Sequence, residues 1–374
     1  TALEQQLQAR FNQVDPDVAV RYYGGWAFDP AQPLDDGWST VGTQRFVLPR
    51  FELRTEASGT ATLACNLILP RDGRRTETIL NAIDQLVWPA GAAPVDLPAA
   101  VARTNRPRRD AWLRMVRWAL DRIDDAALDK VVLARRSTFD FLDTLPPADL
   151  LHRLHAATPN CFHFLFQPVD ATAFVGASPE RLVGRCGNRV QTEAVAGTRS
   201  RGDSAQADAA LRNELLESEK DRREHAFVAD AIRQRLEALC TVVEQDRAAS
   251  EMRLARGRHL RSEFQGRLRD DVSTFDVLRA LHPTPAIGGV PTEAAVRAIR
   301  DQEPFARGWY AGPVGWIGPD EAEFAVAIRS GLVRDNTLAL YSGAGIVDGS
   351  VPEAEWDEIE QKIGDFAAVI DLAS

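Results

Sequence analysis

The sequence predicts an α+β fold in which two mainly antiparallel sheets are flanked by helices. Short alternating or apolar runs that favour strands occur in groups, at residues 18–69, 162–193 and 312–347. Segments with apolar residues three and four positions apart separate these groups. Because the strands come in runs and do not alternate strictly with helices, antiparallel pairing is favoured over a parallel sheet. A chain of 374 residues is long enough for one large domain or two.

Helices are predicted where apolar residues recur with helical spacing. Leu3, Leu7 and Phe11 recur every four residues in the first of them. Ser273 or Thr274 can cap a later helix, which the Pro-Thr-Pro turn after His282 ends. The predicted helices cover residues 1–13, 73–87, 107–125, 148–157, 205–216, 219–240, 273–281, 292–301 and 352–372.

Strands are predicted for short runs rich in β-branched and aromatic residues. Residues 22–30, which combine two glycines with aromatic side chains, are predicted to form a loop, and so are the Ala- and Pro-rich residues 90–98. The predicted strands cover residues 18–23, 44–55, 60–69, 128–140, 162–167, 174–178, 181–184, 189–193, 254–268, 312–317, 323–333 and 337–347.

Charge and composition exclude several classes of partner. The net charge is −10 and the chain has no long basic run, which argues against nucleic acid or an anionic membrane as a partner. Cysteines 65, 161, 186 and 240 are far apart and form no CxxC pair, so we expect reduced, mostly buried thiols. No membrane-spanning stretch or signal-peptide pattern is found, and these observations together predict a cytoplasmic protein.

Residues 192–202 are the stretch around which the other motifs are arranged. Glu193 ends an extended run and is followed by small residues and by Gly197-Thr198. Small residues allow a ligand to approach the backbone closely. Taken alone, the pattern also fits an ordinary turn that carries a solvated glutamate.

Lys130 opens the apolar run K-V-V-L-A-R. It can be an edge lysine that discourages pairing with other chains, or a buried general base. A free lysine titrates near ~10.4, so the second role requires burial or positive neighbours that lower its pKa.

Two glutamates on predicted helices are candidate metal ligands. Glu224 can pair with Lys220 on a helix surface, and Glu358 can pair with Lys362. Alternatively, two separated carboxylates suit a hard cation such as Mg²⁺. His282 fits either a helix C-cap or a hydrogen-bond donor to a ligand.

The common motifs of other enzyme classes are absent. The chain has no HExxH, GxSxG or GxxxxGK[ST] motif. Gly343-Ala344-Gly345 lies in a strand run and lacks the third glycine of a dinucleotide-binding fingerprint.

Eight ordered segments between Lys130 and Lys362 together resemble the chorismate-utilising enzymes. The N-terminal third matches less sharply, although G-G-W-A-F-D-P and F-V-L-P-R-F look like the corresponding segments of isochorismate synthases. The eight segments are K-V-V-L-A-R, F-V-G-A-S-P-E-R-L, T-E-A-V-A-G-T-R-S-R-G, S-E-K-D-R-R-E-H, L-H-P-T-P-A-I-G-G-V-P, R-G-W-Y-A-G-P-V-G-W, E-F-A-V-A-I-R-S and G-A-G-I-V-D-G-S-V-P-E-A-E-W-D-E-I-E-Q-K.

This resemblance implies one chorismate-binding domain over residues 1–374, with the fold of anthranilate synthase component I. Residues 1–105 are its less sharply matched part and residues 106–374 carry the catalytic motifs. Aminating members of the family typically have Gln where Lys130 stands, and aminodeoxychorismate synthases have a lysine nucleophile where Ala196 stands. Members that add water resemble this chain at Lys130 and Glu193.

The implied activity is Mg²⁺-dependent isomerisation of chorismate to isochorismate, for menaquinone or siderophore biosynthesis. A salicylate synthase, whose motif tends to be E-P-L-A-G-T, or a chorismate-binding protein without turnover are the alternatives. The resemblance also implies a cytoplasmic monomer that needs no glutamine amidotransferase subunit.

By the same resemblance, Lys130 removes a proton from the water that attacks C2, and Glu193 protonates the departing C4 hydroxyl. These roles require a lowered pKa for Lys130 and a raised pKa for Glu193. Glu224 and Glu358 would hold Mg²⁺, with Glu323 ordering its waters. The implied substrate-binding residues are Gly197, Thr198, His282, Tyr310, Arg329, Gly343, Gly345 and Lys362.

Overall fold

Two large antiparallel sheets form the centre of the computed structural model, which describes residues 2–14, 19–56, 58–87, 96–255 and 257–370. The strands are β1 (Tyr22–Trp26), β2 (Gln44–Val47), β3 (Phe51–Thr55), β4 (Ala61–Cys65), β5 (Ala100–Arg106), β6 (Lys130–Phe141), β7 (Phe162–Val169), β8 (Thr172–Ser178), β9 (Arg181–Cys186), β10 (Arg189–Ser200), β11 (Cys240–Gln245), β12 (Ser250–Arg253), β13 (Gly257–Leu268), β14 (Gly289–Val290), β15 (Pro313–Ile317), β16 (Glu321–Val326), β17 (Ser330–Arg334) and β18 (Thr337–Ile346).

Helices cover both sheets, and the cap that the sequence indicates at Ser273 is present. Ser218 caps α6, and Ser273 forms a reciprocal capping box with Asp276 at the start of α7. The helices are α1 (Ala2–Phe11), α2 (Thr76–Asn81), α3 (Arg109–Asp124), α4 (Pro147–Ala157), α5 (Ala205–Glu217), α6 (Glu219–Leu239), α7 (Thr274–Leu281), α8 (Thr292–Gln302) and α9 (Pro352–Val369).

The strand order confirms the predicted α+β class. The nine-stranded sheet runs β11-β13-β10-β9-β16-β15-β1-β2, with β12 paired to β13. The seven-stranded sheet runs β14-β6-β18-β17-β8-β7, with β5 paired to β6. Helix α6 packs on β10 and β13 of the first sheet, while α3 and α9 pack on β6 and β18 of the second. The catalytic motifs are therefore divided between the two sheets.

The glycine-rich segment that was predicted as a loop begins with an interior strand instead. Strand β1 lies between β2 and β15. A Cβ on Gly24 would lie 1.9 Å from the carbonyl oxygen of Arg45, and one on Gly25 would lie 2.2 Å from that of Pro313. These glycines allow neighbouring backbones to approach closely, so in this segment glycine does not signal a loop.

Several other predicted boundaries of strands and helices were wrong. The run at 323–333 is two strands, β16 and β17, separated by a turn in which Arg329 has a positive φ of 50°. Strand β10 continues to Ser200 past a bulge at Gly197, whose φ is 72°. The helix predicted at 73–87 is a 3₁₀ turn followed by α2, which ends at Asn81. Strands β5, β11, β12 and β14 were not predicted.

Some predictions concern residues outside the described part of the chain. They are Thr1, Val18, Arg256, residues 90–95 of the predicted loop and the last two residues of the predicted C-terminal helix. All four cysteines are free thiols, but only Cys240 is buried and Cys186 is exposed. Within the described ranges, no helix has both the length and the apolar character that crossing a membrane requires.

The close strand packing at Gly24 makes a testable prediction about stability. We expect Gly24→Ala to lower the free energy of unfolding by roughly 1–3 kcal/mol, because the added methyl group overpacks the sheet. Gly364→Ala is the control: this position is exposed in α9 with no neighbouring atom near the new methyl group, so a gain of about 0.5–1 kcal/mol is expected. Chemical denaturation measures both, and an unchanged stability of Gly24→Ala would contradict the assignment of β1.

Candidate active site

A cleft of about 200 Å³ lies between the two sheets and is closed by α6 and α9. Its wall from the first sheet is the bulged end of β10, and its wall from the second sheet is formed by β18 and the start of β6. The predicted site residues that line it are Gly197, Thr198, Glu224, Tyr310, Arg329, Gly343, Gly345, Glu358 and Lys362.

Lys130 is fully buried at the start of β6 and is not an exposed edge lysine. Its Nζ lies 2.9 Å from Oε1 of Glu224, which projects from α6. Gly345 of β18 leaves room for this ion pair, since a Cβ there would lie 2.8 Å from Glu224 Oε1 and 3.1 Å from Lys130 Cε. The surface pairing of Glu224 with Lys220 does not form, because Lys220 lies 3.5 Å from Glu355 instead.

Helix α9 brings two carboxylates and one ammonium group to the cleft. Lys362 Nζ lies 2.6 Å from Glu358 Oε1 and donates a hydrogen bond of 3.0 Å to the carbonyl oxygen of Gly343. Burial pushes the pKa of Glu358 up, but Lys362 outweighs this effect and the net pKa is lowered. Burial raises the pKa of Glu355, and the nearby charge of Glu358 raises it further.

Carboxylates of Glu224, Glu355 and Glu358 all line the cleft and could serve a hard cation. Among the described residues, no three acidic, His or Cys side chains form a ready-made metal cage. Mg²⁺ commonly binds through one or two carboxylates and keeps several waters, so this sparse oxygen donor set fits it.

Glu193 is buried on β10 and is not among the residues that line the cleft. It accepts a 2.7 Å hydrogen bond from the backbone N–H of Arg181, and one oxygen lies 3.6 Å from the guanidinium of Arg261. Burial raises its pKa, in the predicted direction, although Arg181 and Arg261 oppose the rise. Neither Glu193 nor Lys130 is a lining residue of the cleft, and their acid and base roles stay predictions.

Glu180 lines the cleft and was not selected from the sequence. Its exposed fraction is 3%, and its backbone N–H donates to Ser178 Oγ in the turn between β8 and β9. Burial, reinforced by the charge of Glu193 and opposed by Lys130, raises the pKa of Glu180 to about 8. A signal was present, since Glu180 is the only acid in F-V-G-A-S-P-E-R-L.

His259 of β13 is a second cleft residue that sequence reasoning missed. Its Nδ1 lies 3.0 Å from the carbonyl oxygen of Gly197 and 3.1 Å from Thr198 Oγ1. Because a carbonyl oxygen only accepts, Nδ1 carries the proton of the neutral ring. Burial, together with Arg329 and Lys362, lowers the pKa of His259 to about 4.

Two residues with predicted site roles lie elsewhere. His282 ends α7, where its Nε2 lies 2.9 Å from the carbonyl oxygen of Phe28 and its ring packs edge-on against Trp26 and Phe28. The C-cap alternative therefore describes its position, and His282 does not line the cleft. Glu323 pairs with Arg181 at 2.8 Å and also lies outside the cleft lining.

Arg329 and Tyr310 present hydrogen-bond donors to the cleft. Within the described ranges, Arg329 has no carboxylate partner, and one of its amino groups lies 3.4 Å from the carbonyl oxygen of Lys362. Burial raises the pKa of Tyr310 to about 12, so it remains a neutral phenol. Its ring stacks on Tyr341 with centroids 5.2 Å apart. Both donors suit an anionic ligand.

Curated proteins with similar sequences share one description. The chain is 36% identical over 365 residues to an isochorismate synthase, chloroplastic, of Catharanthus roseus, covering 94% of this chain and 62% of that protein. It is 35% identical over 349 residues to isochorismate synthase MenF of Bacillus subtilis, covering 91% and 72%. The chain thus spans less than two thirds of the plant relative's length.

Solved structures extend the comparison. The chain matches MenF, the menaquinone-specific isochorismate synthase from Escherichia coli, with a TM-score of 0.87 and 31% identity over 98% of this chain and 82% of that one. It matches anthranilate synthase component I from Streptococcus pneumoniae with a TM-score of 0.81 and 21% identity, covering 98% and 85%. The second match shows a shared fold alone.

A family model completes these findings. The model described as chorismate binding enzyme matches residues 2–371, nearly the whole chain. Its extent agrees with a cleft whose walls come from segments spread over both sheets. The chain therefore belongs to the family of chorismate-binding enzymes.

Proposed function

We propose that this protein is an isochorismate synthase, which adds water at C2 of chorismate and removes the hydroxyl at C4. The observation that carries the proposal is a cleft lined by a buried glutamate, Glu180, whose pKa is about 8, and by Glu224, to which the buried Lys130, itself outside the lining, is bonded. A base and a protonated acid are the two groups that addition of one hydroxyl and loss of another require. Relatives at about one third identity carry the same activity in their names.

Lys130 is the proposed base. Its ammonium, paired with Glu224, first releases a proton to solvent, and the free amine then accepts a proton as the oxygen of water bonds to C2. The ion pair with Glu224 fixes Nζ at the start of β6, and the absence of a side chain at Gly345 leaves this pair unobstructed. The aminating members of the family use ammonia, which is already a nucleophile, whereas water requires such a base.

Glu180, rather than the originally predicted Glu193, is the proposed acid. Its proton leaves with the C4 hydroxyl as water. Glu180 is then ionised and Lys130 is protonated. Both regain their starting protonation states by proton exchange with solvent. Glu193 acts indirectly, because its charge contributes to the raised pKa of Glu180. Two carboxylates with different surroundings commonly divide such roles.

Substrate binding is assigned to the remaining cleft donors. Arg329 and Tyr310 are proposed to hold the enolpyruvyl carboxylate, for which a guanidinium offers paired donors. Gly343 allows the ligand to approach the backbone, and Gly197, Thr198 and the neutral His259 face it from β10 and β13. Mg²⁺ held by Glu224 and Glu358 would offset the charge of the ring carboxylate. Lys362 would then steady Glu358.

The biological setting is also part of the proposal. We expect the protein to act in the cytoplasm as a monomer, without a glutamine amidotransferase subunit, and to supply menaquinone or siderophore biosynthesis. Relatives named for menaquinone-specific isochorismate synthase and for salicylate biosynthesis support both pathways.

Product analysis tests the proposed reaction directly. Purified protein incubated with chorismate and Mg²⁺ should form isochorismate, identified by chromatography against a standard. Salicylate with pyruvate would identify a salicylate synthase, and anthranilate formed in the presence of ammonia would identify an aminating enzyme. Binding of chorismate without any product would leave a binding protein and overturn the proposal.

Replacing each carboxylate separately distinguishes the two candidate acids. Glu180→Gln should lower kcat by roughly 10²–10⁴, because the donated proton is lost. Glu193→Gln should have a smaller effect, since Glu193 acts only on the pKa of Glu180. Steady-state kinetics and melting temperatures are measured on both variants. A larger loss of kcat in a folded Glu193→Gln protein would return the acid role to Glu193.

The raised pKa of Glu180 predicts how the rate depends on pH. A pKa of Glu180 raised to about 8 means that the protonated, active form dominates below that pH and disappears above it. We therefore expect kcat to decline as the pH rises through about 8. The residual activity of Glu180→Gln should lack this decline, and a decline that persists there would assign it to another group.

Removal of divalent metal tests the assignment of Glu358. EDTA should abolish turnover and added Mg²⁺ should restore it. Glu358→Gln should raise the Mg²⁺ concentration needed for half-maximal rate, because a charged oxygen ligand is lost. Glu353→Gln, on the exposed first turn of the same helix, is the matched control. Full activity in EDTA would exclude the metal proposal.

A further inference from the structure

A buried ion pair outside the proposed chemistry contacts the segments that form the cleft. Glu303 follows α8, and Arg307 begins the turn that leads to Tyr310. The exposed fraction of each charged side chain is 1%. Arg307 binds Glu303 through two hydrogen bonds, Nη2 to Oε1 at 2.6 Å and Nε to Oε2 at 2.9 Å.

This pair occupies a gap along one edge of β6. Strand β14 pairs with Lys130 and Val131, and β5 begins its pairing at Arg136. Between them, the carbonyl oxygen of Val132 accepts a 2.7 Å hydrogen bond from Arg307 Nη2, and the N–H of Ala134 donates a 2.8 Å bond to Glu303 Oε1. Buried backbone groups need partners, and here two side chains replace a missing stretch of strand.

Arg307 also reaches the other two segments beside Lys130. Its Nη1 donates a 2.9 Å hydrogen bond to the carbonyl oxygen of Ile287, a residue of the cleft lining. Its own carbonyl oxygen accepts from the N–H of Tyr310 at 3.1 Å. The guanidinium stacks over the ring of Phe28 at 4.3 Å. One side chain thus joins the strand of the proposed base, the Ile287 loop and the Tyr310 turn.

We propose that Glu303 and Arg307 are positioning residues, which fix the strand that carries Lys130 relative to Ile287 and Tyr310. The effect on turnover rests on the proposed function, whereas the effect on backbone order does not. Buried ion pairs often contribute little net stability compared with apolar side chains of equal volume, so a role in geometry accounts better for this one. Displacement of a reacting group by about 1 Å can cost about a hundredfold in rate.

Arg307→Lys is the most informative variant. Lysine keeps the positive charge, but its single ammonium cannot reproduce a planar fork that binds Glu303, Val132 and Ile287 together. We expect kcat per folded molecule to fall roughly 10- to 100-fold. Arg54→Lys is the matched control, because Arg54 also forms a two-bond ion pair, with Glu52, but lies on the separate β3–β4 hairpin. Its kcat should stay near that of the unchanged protein.

Hydrogen exchange provides a readout that needs no turnover. In Arg307→Lys, amides of residues 130–136 and 286–290 should exchange about tenfold faster, whereas those of β8 should be unchanged. If the unchanged protein makes no isochorismate, the proposed function fails and this exchange pattern alone decides the positioning proposal. Equal acceleration in β8, or none in residues 130–136, would overturn it.

A second variant covers the case in which Arg307→Lys does not fold. Glu303→Gln keeps an acceptor for the N–H of Ala134 but removes the charge that orients Arg307. It should show the same pattern in smaller degree, with kcat reduced and exchange faster only beside β6. A folded Glu303→Gln protein with unchanged kcat and unchanged exchange would refute the proposal.

Discussion

The ammonium group of Lys130 is buried between two sheets, and the structure around it is arranged to neutralise it there. An unpaired charge in such a place costs several kcal/mol, so a counter-charge has to be supplied. Glu224 supplies it from α6 at 2.9 Å. The approach of α6 to the start of β6 requires that β18 have no side chain between them, which is the position of Gly345. One ion pair therefore relates a helix of one sheet to two strands of the other.

Charge balance also organises the rest of the cleft. Lys362 holds Glu358, Lys220 lies near Glu355, and Arg329 lacks a carboxylate partner among the described residues. Acidic and basic groups thus lie close together in the cleft, and they differ in whether an opposite charge lies beside them. The carboxylate oxygens on α9 suit a hard cation, and the open guanidinium suits the carboxylate of a substrate. Both features agree with a dianionic substrate that binds together with a metal.

Backbone irregularities place several cleft residues. The bulge at Gly197 shifts the register of β10 against β13 and brings Thr198 next to His259. The positive φ of Arg329 ends β16 and starts β17, so its side chain projects into the cleft from a turn. Such conformations commonly occur at functional sites, where the surrounding structure sustains them.

The sequence by itself determined the α+β class, most helices, the family motifs and nine of the residues that line the cleft, because these depend on local periodicity and on ordered segments. It did not reveal that Glu180 and His259 line the cleft, or that His282 and Glu323 lie outside its lining. Each of these positions depends on which face of a strand or turn meets the other sheet, and a change of one residue in register reverses that face. The pairing of β10 with β13 and the turn between β8 and β9 place His259 and Glu180 on the lining, whereas the identity of the acid stays a proposal. The interior strand β1 was not predicted for a related reason. Its glycines are needed because neighbouring strands approach closely, and the local sequence does not show which strands are neighbours.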